Sequence, residues 1–408
     1  MAVRRHHKRV LIYSHDTFGL GHLRRCRAIA HSLVDTDPAL SILILSGSPI
    51  IGSFDFRSRV DFVRIPGVIK LRNGEYVSLS LHIDIEETLA MRSSIIRHTA
   101  DIFDPDLLIV DKEPLGLRGE VRETLDLLQR RGTALVLGLR DVMDDPEALE
   151  SEWERKHAVP ALSEYYDEIW VYGLPQICDP LTGLSVPPSV RRRMIYTGYL
   201  RRSAVELHPT PEIQSFLGSD FLLVTPGGGG DGEALIDLVL AAYEYDRDLP
   251  LPALLVFGPF MQPEQRATFA ARAARLADVQ TITFNPRLEA LMARAAGIVA
   301  MGGYNTFCEI LSFDKPALIV PRTAPRLEQF IRTQRAAEIG LVSMLSEEEG
   351  RDPRVMAAAL RHLTQQPAPS TVFMPGLLDG MPNVNRLARK WLDAGRAGSF
   401  APRARLGA

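Results

Sequence analysis

Short runs of Val, Ile and Leu alternate along this chain with longer stretches of helical period, and that alternation confines it to few folds. Arg9–Ser14, Ser41–Ser46, Phe62–Ile65, Leu107–Asp111, Ala134–Leu139 and Glu168–Tyr172 are short and mostly apolar on both faces. A strand reads this way when helices cover both sides of its sheet. Gly21–Val34, Asp84–Ile102, Gly119–Arg131 and Glu147–Tyr165 read as the intervening helices. Parallel strands joined by right-handed crossovers build a doubly wound sheet, so the expected class is α/β.

The rhythm pauses in residues 186–214, which hold four prolines and one closing strand at Met194–Gly198. It then restarts, with strands expected at Phe221–Thr225, Ala253–Phe257, Gln280–Phe284, Gly297–Met301 and Ala317–Val320. Two Rossmann-like doubly wound domains facing across a cleft are therefore expected, over residues 1–204 and 205–380. In residues 381–408, Val384, Leu387, Ala388, Trp391 and Leu392 form one apolar stripe at helical spacing, followed by a tail expected to be mobile.

The chain has 408 residues, 46% of them hydrophobic, which is enough for two cores. Lys and Arg number 47 against 50 Asp and Glu, and no basic domain stands apart, so a nucleic-acid partner is not expected. Cys26, Cys178 and Cys308 lack metal-ligand spacing, which fits a reducing cytoplasm rather than a disulfide framework. There is no apolar stretch of the ~18 residues a membrane span requires. The basic run Arg4–Arg9 suits either peripheral contact with the inner face of a membrane or a solvated arm.

Ligands of doubly wound sheets bind beyond the carboxyl ends of the strands, where glycines admit close backbone approach and helix N-termini present N–H donors. Three turns qualify: Ser14–His22 (SHDTFGLGH), Thr225–Glu233 (TPGGGGDGE) and Met301–Glu309 (MGGYNTFCE). In the first, Gly19 and Gly21 supply a GxG, but Arg24 occupies the third glycine position and the second strand ends in Ser46-Gly47 without an acid. That argues against a nicotinamide dinucleotide. In the second, Gly227, Gly228, Gly229 and Gly230 do not lead into Gly-Lys-Ser/Thr, which argues against a P-loop.

The second and third turns suit a diphosphate instead, held by Gly302, Gly303, Asn305 and Thr306 at a helix N-terminus whose dipole favours an anion. Glu309, one turn on, can accept hydrogen bonds from a ribose diol. The same residues would also serve as tight turns and a first-turn helix acid.

The segment Phe284–Gln329 resembles the donor-binding domain of glycosyltransferase family 28, and the Gly-Leu-Gly-His at 19–22 resembles that family's N-terminal loop. The resemblance implies the GT-B architecture, with a nucleotide-sugar donor in the C-terminal half, an acceptor against the N-terminal half and a last helix crossing back. It places the donor base near Phe284, Asn285 and Leu288, the ribose on Glu309, and the sugar hydroxyls near Glu328 and Gln329, with the Gly227–Gly230 loop beside them. Glu328-Gln329 stands where the family has paired glutamines, which leaves the sugar open.

Such a transferase must deprotonate an acceptor hydroxyl, for which a positioned base contributes ~10²–10⁴-fold. His22 matches the family's loop histidine, and His15, at the strand end, is the rival. Asp111 is placed to orient a histidine or to cap the next turn. Gly19, Gly21, Lys112 and Glu113 are expected on the acceptor side or in a solvated loop, and Arg72–His82 as an acceptor wall or a hairpin. Asp246-Arg-Asp248 spells the acidic triplet of metal-dependent transferases but ends a helix far from the glycine turns, so no metal is called for. The nucleotide-sugar is a substrate, so no cofactor is expected either. The resulting expectation is an inverting, metal-independent transferase taking a UDP-sugar to a glycan, lipid-linked or small-molecule acceptor. A nucleotide-sugar epimerase and a silent nucleotide-sugar-binding protein are the alternatives.

Overall fold

The computed structural model describes residues 7–16, 20–71, 75–204, 211–214, 218–228 and 230–395. It divides into two compact units. One comprises Met1–Pro175, Asp179–Gly198 and Asp379–Ala408, and the other Gln176–Cys178 and Tyr199–Leu378.

The first unit is built on β1 (Lys8–Ser14), β2 (Leu40–Ser46), β3 (Val60–Arg64), β4 (Val68–Lys70), β5 (Tyr76–Ser78), β6 (Leu107–Asp111), β7 (Ala134–Arg140), β8 (Glu168–Tyr172) and β9 (Met194–Tyr196). Seven of these form one parallel sheet in the order β3-β2-β1-β6-β7-β8-β9. Every residue of β6 and β8 is buried, as two-sided helical cover requires. The remaining pair, β4 and β5, is antiparallel; β5 falls within Arg72–His82, whereas β4 precedes that stretch and residues 72–74 lie outside the described residues. After β1 the chain builds outward to β2 and β3, then returns to add β6 on the other side. The order thus reverses between β1 and β6, and the carboxyl ends of those two strands flank the switch point where such sheets bind ligands.

The second unit carries β10 (Leu222–Thr225), β11 (Ala253–Val256), β12 (Val279–Ile282), β13 (Gly297–Ala300), β14 (Ala317–Ile319) and β15 (Ser343–Met344), all parallel, in the order β12-β11-β10-β13-β14-β15. Its switch point lies between β10 and β13, the strands that precede the second and third glycine turns.

The last helix, Gly380–Ala394, belongs to the first unit and packs on the helix Gly21–Thr36. Val384, Leu387, Ala388 and Leu392 are buried there, while Trp391 of the same stripe is only half-buried. Polar pairs fix the register: Asn385 Nδ2 donates to Ser32 Oγ at 2.9 Å and Asn383 Nδ2 to the Thr197 carbonyl at 2.9 Å. Among the described residues, no helix is long and apolar enough to cross a membrane.

Two expectations are corrected. Glu147–Tyr165 is not one helix but two, Pro146–Arg155 and Ala158–Glu164, because His157 takes a left-handed conformation (φ 51°) that ends the first. The helix expected from Gly119 starts at Arg122, after a 3-10 turn at Leu117–Gly119. The helix Pro353–His362 was not anticipated, although its Asp352 N-cap and N1 proline are a readable start signal.

Candidate functional site

At the switch point of the first sheet, β1 runs into His15 and Asp16, both buried. Asp16 fastens the following helix, accepting from Leu23 N at 3.1 Å and from Ser46 Oγ of β2 at 2.6 Å. This holds the first turn of Gly21–Thr36 above the strand ends. His22 sits in that turn with its side chain 18% exposed. Its Nδ1 is hydrogen-bonded to Oδ2 of Asp111, the last residue of β6. Arg25, one turn further along the same helix, donates from Nε and Nη2 to Asp111 Oδ1 at 2.8 and 2.7 Å, and from Nη2 to Oδ2 at 2.8 Å.

A carboxylate can only accept, so the His22–Asp111 bond assigns the imidazole proton to Nδ1 and leaves the Nε2 lone pair available to take another. Burial pushes the His22 pKa below its ordinary value; Asp111 opposes the shift, and Arg25 and Lys112 add to it. Burial would raise the Asp111 pKa, but Arg25 and then His22 overturn it and hold the carboxyl well below the usual range.

His15 lies beside this group, its ring 5.6 Å from that of His22 and nearly perpendicular. Burial drives its pKa well down, against the pull of Glu113. Among the described residues its Nδ1 has no hydrogen-bond partner. Lys112, in a left-handed conformation (φ 68°), and Glu113 form an ion pair at 3.4 Å, and Glu113 also accepts from Lys156 Nζ at 2.9 Å. Burial would raise the Glu113 pKa, but Lys112, His15 and Lys156 overturn it and hold the carboxyl well below the usual range. Gly21 opens the helix, and Gly19 lies outside the described residues.

At the switch point of the second sheet, β13 leads into Gly302, which adopts φ 79°; a Cβ there would meet Thr333 Oγ1 at 2.7 Å and Ile319 Cγ2 at 2.8 Å. Gly303 begins the helix Tyr304–Ser312 without a side-chain cap. First-turn N–H groups of any helix have no acceptor within it, which makes such a start an anion site. The glycine loop after β10 lies alongside: a Cβ on Gly227 (φ 95°) would be 3.9 Å from Thr306 Oγ1. Gly228 is half-buried, and Gly229 lies outside the described residues.

Two arginines absent from the sequence reading contact this turn and a third, Arg322, ties Glu328 and Gln329 to the glycine loop beside it. Arg202, 9% exposed, donates from Nη2 to Asn305 Oδ1 at 2.7 Å. Its Nε is buried with no acceptor among the described residues. Its backbone N donates to Ser312 Oγ at 2.9 Å, so the segment runs along the helix, with Tyr199 stacked on Tyr304 at 6.0 Å. Arg332, fully buried, donates to the Gly302 carbonyl at 3.0 Å and lies 5.7 Å from the centre of the Tyr304 ring. Arg322 donates to Glu328 Oε1 at 2.9 Å and pairs with Asp231 of the glycine loop at 3.1 Å. With its amide oriented to satisfy both ends, Gln329 accepts from Arg322 Nε at 3.0 Å and donates to the Met301 carbonyl at 2.8 Å. Glu328 and Gln329 are thus both buried and engaged by Arg322.

Glu309 has no solvent exposure. Its carboxylate is closed to solvent in this structure, a feature not expected of an open ribose site. Phe284 and Asn285 are half-buried just beyond β12, and Asn285 Oδ1 accepts from Arg287 N at 2.8 Å, fixing the entry to the helix that begins at Leu288. The acidic triplet stays with the end of the helix Glu233–Tyr245, where Arg361 binds Asp246 at the surface.

Residues 222–371 match the model of the glycosyltransferase family 28 C-terminal domain. An uncharacterized glycosyltransferase of Methanosarcina acetivorans is 24% identical over 399 residues, covering 91% of this chain and 96% of that protein. Among solved structures, Acinetobacter baumannii MurG matches with a TM-score of 0.58 at 13% identity, over 94% of this chain and 99% of that one. Phytolacca americana UGT2, complexed with UDP-2-fluoroglucose and pterostilbene, matches with 0.62 at 13% identity, over 94% and 99%. A putative UDP-N-acetylglucosamine 2-epimerase from Listeria monocytogenes matches with 0.61 at 11% identity, over 97% and 98%. The chain therefore has the GT-B fold of these solved structures, and its residues 222–371 are similar to the C-terminal domain of glycosyltransferase family 28.

Proposed function

We propose that this protein is an inverting, metal-independent glycosyltransferase that moves a sugar from a nucleoside diphosphate donor, a UDP-sugar, to a hydroxyl acceptor. The observation that carries the reading is the hydrogen bond from His22 Nδ1 to Asp111 at the carboxyl ends of β1 and β6. It prepares Nε2 to accept a proton. In the reaction the acceptor hydroxyl gives that proton to His22 and its oxygen attacks the anomeric carbon. The bond from that carbon to the β-phosphate oxygen breaks, and the nucleoside diphosphate leaves. Asp111 stabilises the imidazolium as it forms. Among the described residues His15 Nδ1 has no such carboxylate partner, which makes His15 the weaker candidate.

The leaving diphosphate is assigned to the start of the helix Tyr304–Ser312, near Gly302, Gly303, Asn305 and Thr306, with the Gly227 loop alongside. The helix dipole and the Arg202 guanidinium both favour negative charge there. That is how the protein itself would meet the leaving-group charge. Glu309 is assigned the ribose, Phe284, Asn285 and Leu288 the base, and Glu328 and Gln329, held by Arg322, the sugar hydroxyls.

Incubation with UDP-sugars tests the reading. A transferase without acceptor hydrolyses them slowly to UDP and free sugar, and His22→Ala abolishes this while leaving UDP binding intact. The likeness to a UDP-N-acetylglucosamine 2-epimerase favours one second reading, epimerisation, which would return an isomerised UDP-sugar and no UDP. Binding without either product would mark a silent nucleotide-sugar-binding protein.

A further inference from the structure

A histidine whose Nδ1 proton is held by a carboxylate ordinarily gains basicity, because the carboxylate's charge attracts the imidazolium. Here the carboxylate is already engaged. Asp111 is 2% exposed and Arg25 1% exposed, and the guanidinium reaches both carboxylate oxygens. Arg25 Nη2 also lies 3.1 Å from His22 Nδ1. With the imidazole neutral, the three side chains together carry no net charge; protonating His22 leaves a net positive group in a largely buried pocket.

We propose that Arg25 is a positioning residue that sets the basicity of His22, locking the Asp111 carboxylate in place and offsetting its charge so that the imidazole rests neutral. The inference builds on the reading of His22 as the base. Two consequences follow from the geometry. The fork bound to Asp111 fixes the carboxylate's rotamer, and therefore the imidazole plane, more tightly than a single hydrogen bond would. The positive charge beside the carboxylate, 3.1 Å from the ring nitrogen, also weakens the pull that would otherwise hold a proton on His22. A base tuned this way is unprotonated over a wider pH range and gives its proton up readily after each turnover.

The other charged and titratable groups facing His22 come from separate elements: Lys112 from the turn after β6, and Asp16 and His15 from the end of β1. Glu113 and Lys156 act on His15 behind them. The substitution replaces none of these residues, so a shift in His22 reports the loss of Arg25, acting directly and through Asp111.

The test is a side-chain NMR titration of histidines in the full chain, with the His22 signal assigned by its loss in His22→Gln. Wild type is expected to titrate below the ordinary ~6.5. Arg25→Gln should raise the midpoint by about one unit or more, a tenfold gain in proton affinity. Arg25→Lys, which keeps the charge without the fork, should stay near wild type. Removing one partner of a buried pair is costly, so a second comparison covers loss of folding in Arg25→Gln. Asp111→Asn should lower the His22 midpoint, and Asp111→Asn with Arg25→Gln should bring it back up. An Arg25→Gln midpoint equal to wild type, or a double variant equal to Asp111→Asn alone, overturns the inference. These measurements need no turnover. If the acid limb of the transfer rate then fails to follow the His22 midpoint, the base assignment is what falls.

Discussion

The guanidinium of Arg202 donates to the side-chain oxygen of Asn305 at 2.7 Å, at the first turn of the helix that follows the β13 glycines. The buried Nε beside that bond has no acceptor among the described residues, although a buried donor is costly to leave unmatched. An oxygen of a bound diphosphate would satisfy it. Arg202→Ala should therefore weaken UDP binding about tenfold to a hundredfold, since hydrogen bonds to charged groups contribute about 1.5–3 kcal/mol. Calorimetric titration checks this, with Arg202→Lys expected to retain part of the affinity. Equal affinity in Arg202→Ala would remove the arginine from the donor site.

Adjacent glycines of the same turn should respond differently. A Cβ on Gly302 would require a left-handed backbone and meet Thr333 and Ile319 below 3 Å, whereas one on Gly303 meets nothing within 4 Å. Gly302→Ala should lower stability by about 1–3 kcal/mol, and Gly303→Ala should leave the melting temperature of the free protein within error. Thermal unfolding without ligand decides this, and equal losses in the two variants would contradict the turn geometry.

The alternation of strands and helices was legible because a strand covered on both faces is written in uninterrupted apolar residues, as in Leu107–Asp111. The glycine turns were legible for a related reason: glycines between a strand and a helix are informative wherever they occur. The arginines were not. Arg25 lies three residues after His22, on the same helical face, so its proximity to the histidine could have been anticipated; the fork to Asp111, 86 residues away, could not. Arg202 reads as one more basic residue in a proline-rich linker, and only the packing of Tyr199 on Tyr304 carries it to Asn305. The burial of Glu309 was equally hidden, since a helix acid six residues after the last glycine of a turn reads the same whether or not solvent reaches it.

His31 should make stability depend on pH. Burial, with Arg27 and Arg57 adding to it, lowers its pKa to about 4 in the folded chain, against an ordinary 6.5. Between those values the unfolded chain takes up a proton that the folded chain does not, so stability falls as pH drops through that window. Replacing His31 by Gln removes this contribution. The loss of melting temperature between about pH 7.5 and 5 should be smaller in His31→Gln than in wild type, and an unchanged loss would show that His31 is not the group responsible.

The last helix should be a structural part of the first unit. Leu387 is 3% exposed among residues packed on the helix Gly21–Thr36. Truncation to alanine should cost about 2–5 kcal/mol, as for other buried leucines. Denaturant unfolding measures it, and a cost near zero would mean that the stripe does not carry the packing.

In the proposed function the Asn305 turn holds a diphosphate and Glu309 grips its ribose. The most direct measurement is the UDP-induced rise in melting temperature of wild type, His22→Ala and Glu309→Gln. The proposed donor site requires the same rise in wild type and His22→Ala, and in Glu309→Gln a rise reduced as if affinity had fallen tenfold or more, with the unliganded protein still folded. A full rise in Glu309→Gln, or no rise with any nucleoside diphosphate in wild type, would contradict it.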